Sequence, residues 1–217
     1  MLRSFSLARF RFVLEPEGRL ALHPRNPGNT LRGAFGSTFK RLVCPTPHEC
    51  RDTCRMKATC PYGQIFEPSP PPGTDRLSLN QDIPRPFILR PPSGCNTAAE
   101  AGTSLTFDLT LIGLAADYLP YFLVTFRELE HQGIGLGRGR YELKRVVQLN
   151  DHHSTEEDRQ RISGNEALEI YSSEDQLVRP SPHRLTFQDC RNLAERFAVN
   201  GLRVMDLGSR TTGDGQR

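Results

Sequence analysis

The 217-residue sequence has no stretch of eighteen consecutive apolar residues. This absence excludes a membrane-spanning helix of the usual kind. The segment MLRSFSLARFRF alternates arginine with phenylalanine and lacks the continuous apolar core of a secretory signal peptide. Because 36% of the residues are hydrophobic, we expect a globular protein with its own core. Since the sequence shows neither a membrane-spanning segment nor a signal peptide, we expect it in the cytoplasm and without membrane contact.

Lysine is also scarce, since only Lys40, Lys57 and Lys144 occur among the 28 basic residues. The others are arginines, whose planar guanidinium binds a phosphate through two parallel hydrogen bonds. Genome base composition offers a second explanation, without functional meaning. The bias therefore indicates phosphate recognition only where arginines lie together.

Two nucleotide-binding motifs are missing. The chain has no GxxxxGK[ST] sequence, which argues against nucleotide hydrolysis. Its richest glycine segment follows a predicted helix, whereas a dinucleotide-binding motif lies between a strand and a helix N-terminus. A helix C-terminus repels anions, so arginines and exposed backbone N–H groups would have to attract an anionic ligand there.

That segment is HQGIGLGRGRYEL, from His131 to Leu143. Glycines occupy every second position: Gly133, Gly135, Gly137 and Gly139. They remove the Cβ atoms that would keep a ligand backbone away, while Arg138 and Arg140 supply cations. A helix-capping glycine would explain Gly133 alone. The pattern predicts a loop at 133–140 that binds an extended polyanion.

Hydrophobic periodicity predicts six elements in the first 150 residues. They are a strand over 5–14, a helix capped by Asn29 or Thr30, an edge strand at Phe87–Leu89, a strand from Leu105, a helix capped by Asp117 that ends at Gly133, and a strand from Tyr141. This βαββαβ order predicts the α+β class, with a ferredoxin-like, RRM-like domain over 1–150. A Cys-rich insertion follows the first helix.

The remaining residues predict three further parts. Residues 151–166 are strongly polar and indicate a linker. Residues 167–207 combine short strands with a helix, for which Thr186 and Asp189 form a capping arrangement, and predict a partial second ferredoxin-like unit. We expect a disordered tail over 208–217.

Four cysteines lie within residues 44–60, spaced C-x5-C-x3-C-x5-C: Cys44, Cys50, Cys54 and Cys60. Four thiolates complete a tetrahedral zinc site, so this knuckle predicts structural Zn²⁺ and no open position for a catalytic metal. His48 could replace one thiolate. The alternative is a set of reduced thiols without metal.

Three segments of this chain resemble the CRISPR-associated endoribonucleases of the RAMP superfamily that process precursor CRISPR RNA. They are GNTLRGAFGSTFKRLVC from Gly28, the cysteine stretch that runs into CPYGQIFEP, and YLPYFLVTFRELEHQGIGLGRGRYEL from Tyr118. The resemblance implies a ferredoxin-like fold, a glycine-rich loop that contacts RNA, and metal-independent cleavage within CRISPR repeat RNA. Such proteins usually carry two ferredoxin-like domains, so one interpretation is that this chain is truncated.

The resemblance also implies a reaction. A ribose 2′-hydroxyl attacks the neighbouring phosphate and leaves a 2′,3′-cyclic phosphate. Histidine suits both proton transfers, and we expect His23 first and His48 second in this role, with Lys40 or Arg32 stabilising the phosphate. A turn residue before proline is the alternative reading of His23.

Three functions remain open from the sequence. The first is an endoribonuclease acting on CRISPR repeat RNA. The second is a non-catalytic RNA-binding subunit that uses Arg32 and the loop at 133–140 as a backbone clamp, alone or with other CRISPR effector subunits. The third is a zinc-stabilised interaction domain without an RNA role. The oligomeric state is open in each case.

Overall fold

The computed structural model describes residues 5–45, 54, 56, 59–68, 83–92, 97–149, 168–181 and 183–199. The strands are β1 (Ser6–Pro16), β2 (Leu20–Ala21), β3 (Phe87–Arg90), β4 (Ala98–Ala99), β5 (Leu105–Ile112), β6 (Tyr141–Gln148), β7 (Leu168–Ser172) and β8 (Leu185–Thr186). The helices are α1 (Pro27–Val43), α2 (Pro61–Ile65), α3 (Leu119–Gln132) and α4 (Phe187–Val199), and a 3-10 helix spans Gly113–Tyr118.

The main sheet has the order β3-β5-β1-β6-β7, and β8 pairs with the first residues of β1. All of these pairs are antiparallel. The central place of β1 follows from its alternating sequence, which buries Phe10, Phe12 and Leu14 on one face. The predicted mixed α/β fold with an antiparallel sheet is confirmed. A small second sheet joins β2 to β4.

Aromatic side chains fill the space between the sheet and the helices. Phe12 of β1 stacks on Phe107 of β5 with the ring centroids 4.9 Å apart. Phe35 of α1 stacks on Phe122 of α3 at 4.4 Å, and Phe126 lies 4.8 Å from Phe107. Each buried ring stabilises the fold by about 1.5–3 kcal/mol. The aromatic residues of α3 therefore belong to the core.

Both long helices start differently from the prediction. The Asn26 side chain caps α1 by accepting a hydrogen bond from the Asn29 N–H at 3.2 Å, and Pro27 fixes the first helical φ. The predicted cap at Asn29 or Thr30 is therefore wrong. Asp117 does not cap α3 either, because the N-cap residue is Tyr118; Asp117 lies in the preceding 3-10 helix, and its carboxylate binds Arg184.

A short helix that periodicity did not predict, α2, packs against α1. A Cβ atom on Gly36 would lie 2.2 Å from the Phe66 ring, so this glycine is required for the close approach of the two helices. Gly33 instead faces open space.

The first two strands of the predicted second unit belong to the main sheet. β7 hydrogen-bonds to β6 and β8 to β1, and Ile170 and Tyr171 are buried in the same core as the central strands. Without β7 and β8, the main sheet would leave strand edges unpaired and apolar surface exposed, which explains why these strands join it. The predicted capping arrangement at the start of α4 is confirmed, since the Thr186 hydroxyl and the Asp189 carboxylate are hydrogen-bonded. Residues 151–166 and 208–217 lie outside the described residues.

Within the segments that the structure describes, no helix is long and apolar enough to cross a membrane.

Candidate nucleic-acid interface

The loop at 133–140 is a closed hairpin whose backbone is fixed at several points. α3 ends where the Gly133 N–H donates to the Leu129 carbonyl at 2.9 Å. Ile134 and Gly139 then exchange two backbone hydrogen bonds, each 3.0 Å long. The Leu136 N–H donates to the Ala21 carbonyl at 2.7 Å, which docks the hairpin on β2. We call residues 133–140 the glycine hairpin.

Three of the four glycines are required by the protein's own backbone. A Cβ atom would lie 2.1 Å from the Arg138 oxygen at Gly133 and 2.0 Å from the Ala21 oxygen at Gly135. At Gly139 it would lie 2.6 Å from the Arg19 oxygen. These glycines therefore serve internal packing, whereas the sequence had indicated close approach by a ligand.

Gly137 differs from the other three, because nothing lies within 4 Å of its Cβ position. Its φ of 78° still favours glycine. The predicted exposed backbone donors are largely occupied, since the N–H groups of Ile134, Leu136, Arg138 and Gly139 all donate within the protein. Attraction for an anion must therefore come from side chains.

Arg138 and Arg140 are both exposed on the hairpin. Arg138 has a φ of 50°, so the turn holds it in a left-handed conformation. The Arg140 carbonyl accepts a hydrogen bond from the Glu17 N–H at 3.1 Å, which fixes the end of the hairpin. Among the described residues, no carboxylate pairs with either guanidinium. Both cations are available to a ligand.

Arg19 joins this basic surface through the fold. Its carbonyl packs on Gly139, and its side chain is 74% exposed. The contact with Glu100 is 3.7 Å long and exposed, a geometry that contributes about 1 kcal/mol or less. Sequence reasoning missed Arg19, because only the pairing of β2 with the hairpin brings it there. We call Arg19, Arg138 and Arg140 the loop arginines.

The proposed catalytic residues do not converge on one site. His23 is exposed and follows Ala21, the residue that docks the hairpin, by two positions. Lys40 packs over the Tyr62 ring at 5.2 Å, near the other end of α1. The His23 N–H donates to the Thr30 hydroxyl, ten residues before Lys40, so the two residues lie about 15 Å apart along the axis of α1. The structure therefore does not bring His23 and Lys40 together, their catalytic roles stay predictions, and His48 lies outside the described residues.

Arg32 lies nearer to the hairpin end of α1. Its guanidinium donates to the Asn29 side-chain oxygen at 3.0 Å and is exposed. This position, one turn into the helix, leaves the RNA-binding role of Arg32 as a prediction.

The structure describes three of the four knuckle cysteines. Cys44 follows α1, where its N–H donates to the Lys40 carbonyl at 2.9 Å, and Cys60 precedes α2. Cys54 is half-buried, and Cys50 lies outside the described residues. The described part of the chain contains no group of three metal-ligating side chains. The structural zinc ion stays a prediction, and the metal content of the purified protein tests it.

Glu130 fixes the strand that leaves the hairpin. Its carboxylate accepts a hydrogen bond from the Leu143 N–H at 2.8 Å, at a point that β7 does not reach. Burial raises the pKa of the Glu130 carboxyl above its ordinary value of 4.5, although the Leu143 N–H and the Arg127 charge act in the opposite direction. The buried Tyr141 hydroxyl donates to the Phe126 carbonyl at 2.7 Å and holds the same strand to α3.

This raised pKa predicts a pH effect on stability. A carboxyl that is protonated more readily in the folded state contributes stability that is fully present below its unfolded pKa of 4.5 and lost as pH rises through the folded pKa. Glu130→Gln keeps an oxygen acceptor but cannot ionise. We expect the wild type to lose stability relative to this variant as the pH rises above about 4.5, measured by denaturant unfolding. A pH-independent difference would contradict the assignment.

A family model named AF_1859_N, described as an N-terminal domain, matches residues 5–183. The chain belongs to the AF_1859_N family. The match includes the hairpin, both long helices and all strands up to β7. Among curated proteins, none matches this AF_1859_N chain.

Two solved structures are similar to the AF_1859_N chain. A chain of the Csm3-Csm4 subcomplex in the type III-A CRISPR-Cas interference complex is 18% identical, with a TM-score of 0.47, over 81% of this chain and 94% of that chain. A chain of a Cas6 product complex is 19% identical, with a TM-score of 0.34, over 64% of this chain and 38% of that chain.

Proposed function

We propose that this AF_1859_N protein binds CRISPR repeat RNA through the glycine hairpin and the loop arginines. The observation that carries the proposal is a backbone fixed by hydrogen bonds to β2 and to Glu17, just after β1, which presents two exposed arginines without carboxylate partners among the described residues. Because the backbone that carries these arginines is already ordered, phosphate binding costs little conformational entropy of the loop. The likeness of the three sequence segments to CRISPR RNA-processing proteins supplies the class of RNA.

The order of the elements supports a ferredoxin-like assignment. Strands β3, β5, β1 and β6 lie side by side, and the helices α1 and α3 connect β1 to β3 and β5 to β6. This is the split βαβ arrangement found in RRM-like domains. The glycine hairpin then occupies the connection between the second helix and the last strand of that unit.

The ligand that fits best is a chain of phosphates. The hairpin follows the C-terminus of α3, where the helix dipole disfavours an anion, and most of its backbone N–H groups donate within the protein. A single phosphate would find few free backbone donors there. A polyanion that contacts Arg19, Arg138 and Arg140 together gains from all three charges, as a nucleic-acid backbone does.

Among the described residues, the geometry favours binding without catalysis. His23 follows Ala21, on which the hairpin docks, and His131 precedes the hairpin in the last turn of α3. Neither imidazole makes a hydrogen bond with a described residue that would orient it for proton transfer, and Lys40 lies further along α1, over the Tyr62 ring. Cleavage by 2′-hydroxyl attack would leave a 2′,3′-cyclic phosphate and would depend on His23. We propose that the protein acts as an RNA-binding subunit, alone or with other CRISPR effector subunits.

Incubation of repeat RNA with the protein in excess chelator separates the two functions. We expect salt-sensitive binding and an intact transcript, both for the wild type and for His23→Ala, because no described residue orients the His23 or the His131 imidazole for proton transfer. A cyclic phosphate product that disappears with His23→Ala would instead establish an endoribonuclease. Absence of RNA binding at low salt would contradict the proposal itself.

A further inference from the structure

Leu136 occupies the tip of the glycine hairpin and points away from the core. Its side chain is 56% exposed, whereas Ile134, two residues earlier, is 2% exposed. Burial of Ile134 anchors the hairpin on the core, whereas Leu136 is left exposed to solvent. The fold therefore gains little from the apolar character of Leu136.

The backbone beneath Leu136 is fixed. Its N–H is bound to the Ala21 carbonyl, and the Arg138 N–H donates to the Gly135 carbonyl at 3.3 Å across the turn. The neighbours Gly135 and Gly137 carry no side chains, and the space around the Gly137 Cβ position is open. Leu136 is therefore an apolar projection: an exposed side chain on a fixed backbone. A flat group can approach it from the side of Gly137.

The same hairpin and the segment packed against it carry cations. Arg138 and Arg140 follow it on the same hairpin, and Arg19 lies against Gly139. An apolar projection on a positively charged surface is suited to a ligand that carries phosphates outside and flat apolar faces inside. Proteins that bind nucleic acids insert leucine and similar side chains between neighbouring bases in this way.

We propose that Leu136 inserts between two adjacent bases of the bound RNA and separates their stacked faces. This inference rests on the proposed function, because the loop arginines must first hold the phosphates. Leu136 then sets which dinucleotide step is opened, since the cost of unstacking differs between base steps.

The test uses an oligoadenylate of about 12 nucleotides in which one central adenine is replaced by 2-aminopurine. Stacking quenches 2-aminopurine, so its emission reports base separation. We expect emission to rise when the wild-type protein binds and this rise to be lost in Leu136→Ala, while the affinity changes by less than about tenfold. Thermal unfolding of the variant should match the wild type, because the side chain is exposed.

Leu114→Ala is the matched control, since Leu114 is 80% exposed in the 3-10 helix before α3. This control should keep both binding and the emission rise. Equal emission from wild type and Leu136→Ala, both bound, would overturn the inference and leave the proposed function intact. If the wild type binds neither the oligoadenylate nor repeat RNA, the proposed function fails and the inference falls with it.

Discussion

Replacing Arg138 and Arg140 together by alanine is expected to weaken RNA binding by about 10- to 100-fold near physiological salt. Each guanidinium that contacts a phosphate contributes a charge-assisted hydrogen bond, and neither has to leave a carboxylate partner among the described residues. Alanine at Arg138 keeps the same left-handed strain as arginine, so the hairpin backbone should not change.

The salt dependence of binding gives a sharper measurement than affinity at one salt concentration. Each phosphate contact with a single strand adds about 0.7 to the slope of log K against log salt concentration. The double variant should therefore lose about 1.4 from that slope, measured by fluorescence anisotropy with labelled repeat RNA.

Arg41→Ala with Arg191→Ala removes the same charge elsewhere and serves as the control. Arg41 lies in the last turn of α1, and Arg191 pairs with Glu195 on α4. This control should retain nearly the full slope. If both double variants lose affinity equally, the protein attracts RNA through its net charge and not through the glycine hairpin.

Gly135→Ala is expected to destabilise the protein by about 2–4 kcal/mol. The new Cβ atom would lie 2.0 Å from the Ala21 oxygen, in a residue whose φ is 73°. The hairpin would have to leave β2, which breaks the hydrogen bond from Leu136 and exposes Ile134. For a chain of this size the melting temperature should fall by about 5–15 °C, measured by circular dichroism.

The variant Gly137→Ala distinguishes the effect of a steric clash from the effect of a positive φ. Gly137 has a φ of 78° but open space around its Cβ position, so alanine there costs only the left-handed strain, about 1 kcal/mol.

Gly135→Ala should also lose RNA binding at temperatures where it is folded, because the loop arginines would no longer be held together. Equal destabilisation by the two variants would show that the hairpin is not docked on β2.

These two experiments test different parts of one arrangement. The arginine variants remove charge and leave the backbone in place, whereas the glycine variant keeps the charge and displaces the backbone. An RNA-binding site that depends on rigid presentation should fail in both cases. A site that depends on charge alone should fail only in the first.

Local sequence determined the elements that build the central sheet and its helices. The alternation in β1 and β5 and the spacing of Phe122 and Phe126 in α3 each reflect burial of one face, and a single segment contains that information. The hairpin position, after a helix that ends at Gly133, was also predictable, because a glycine at that point is a local stop signal.

Only the tertiary structure decided what the glycines and the basic residues do. Gly135 and Gly139 contact the backbone of β2 and Arg19, which are remote in sequence, so no local pattern distinguishes this packing from an opening for a ligand. The pairing of β2 with the hairpin likewise adds Arg19 to the interface, while the length of α1 removes Lys40 from it. Local sequence specifies which face of a segment is apolar, but contacts between segments depend on how the whole chain packs.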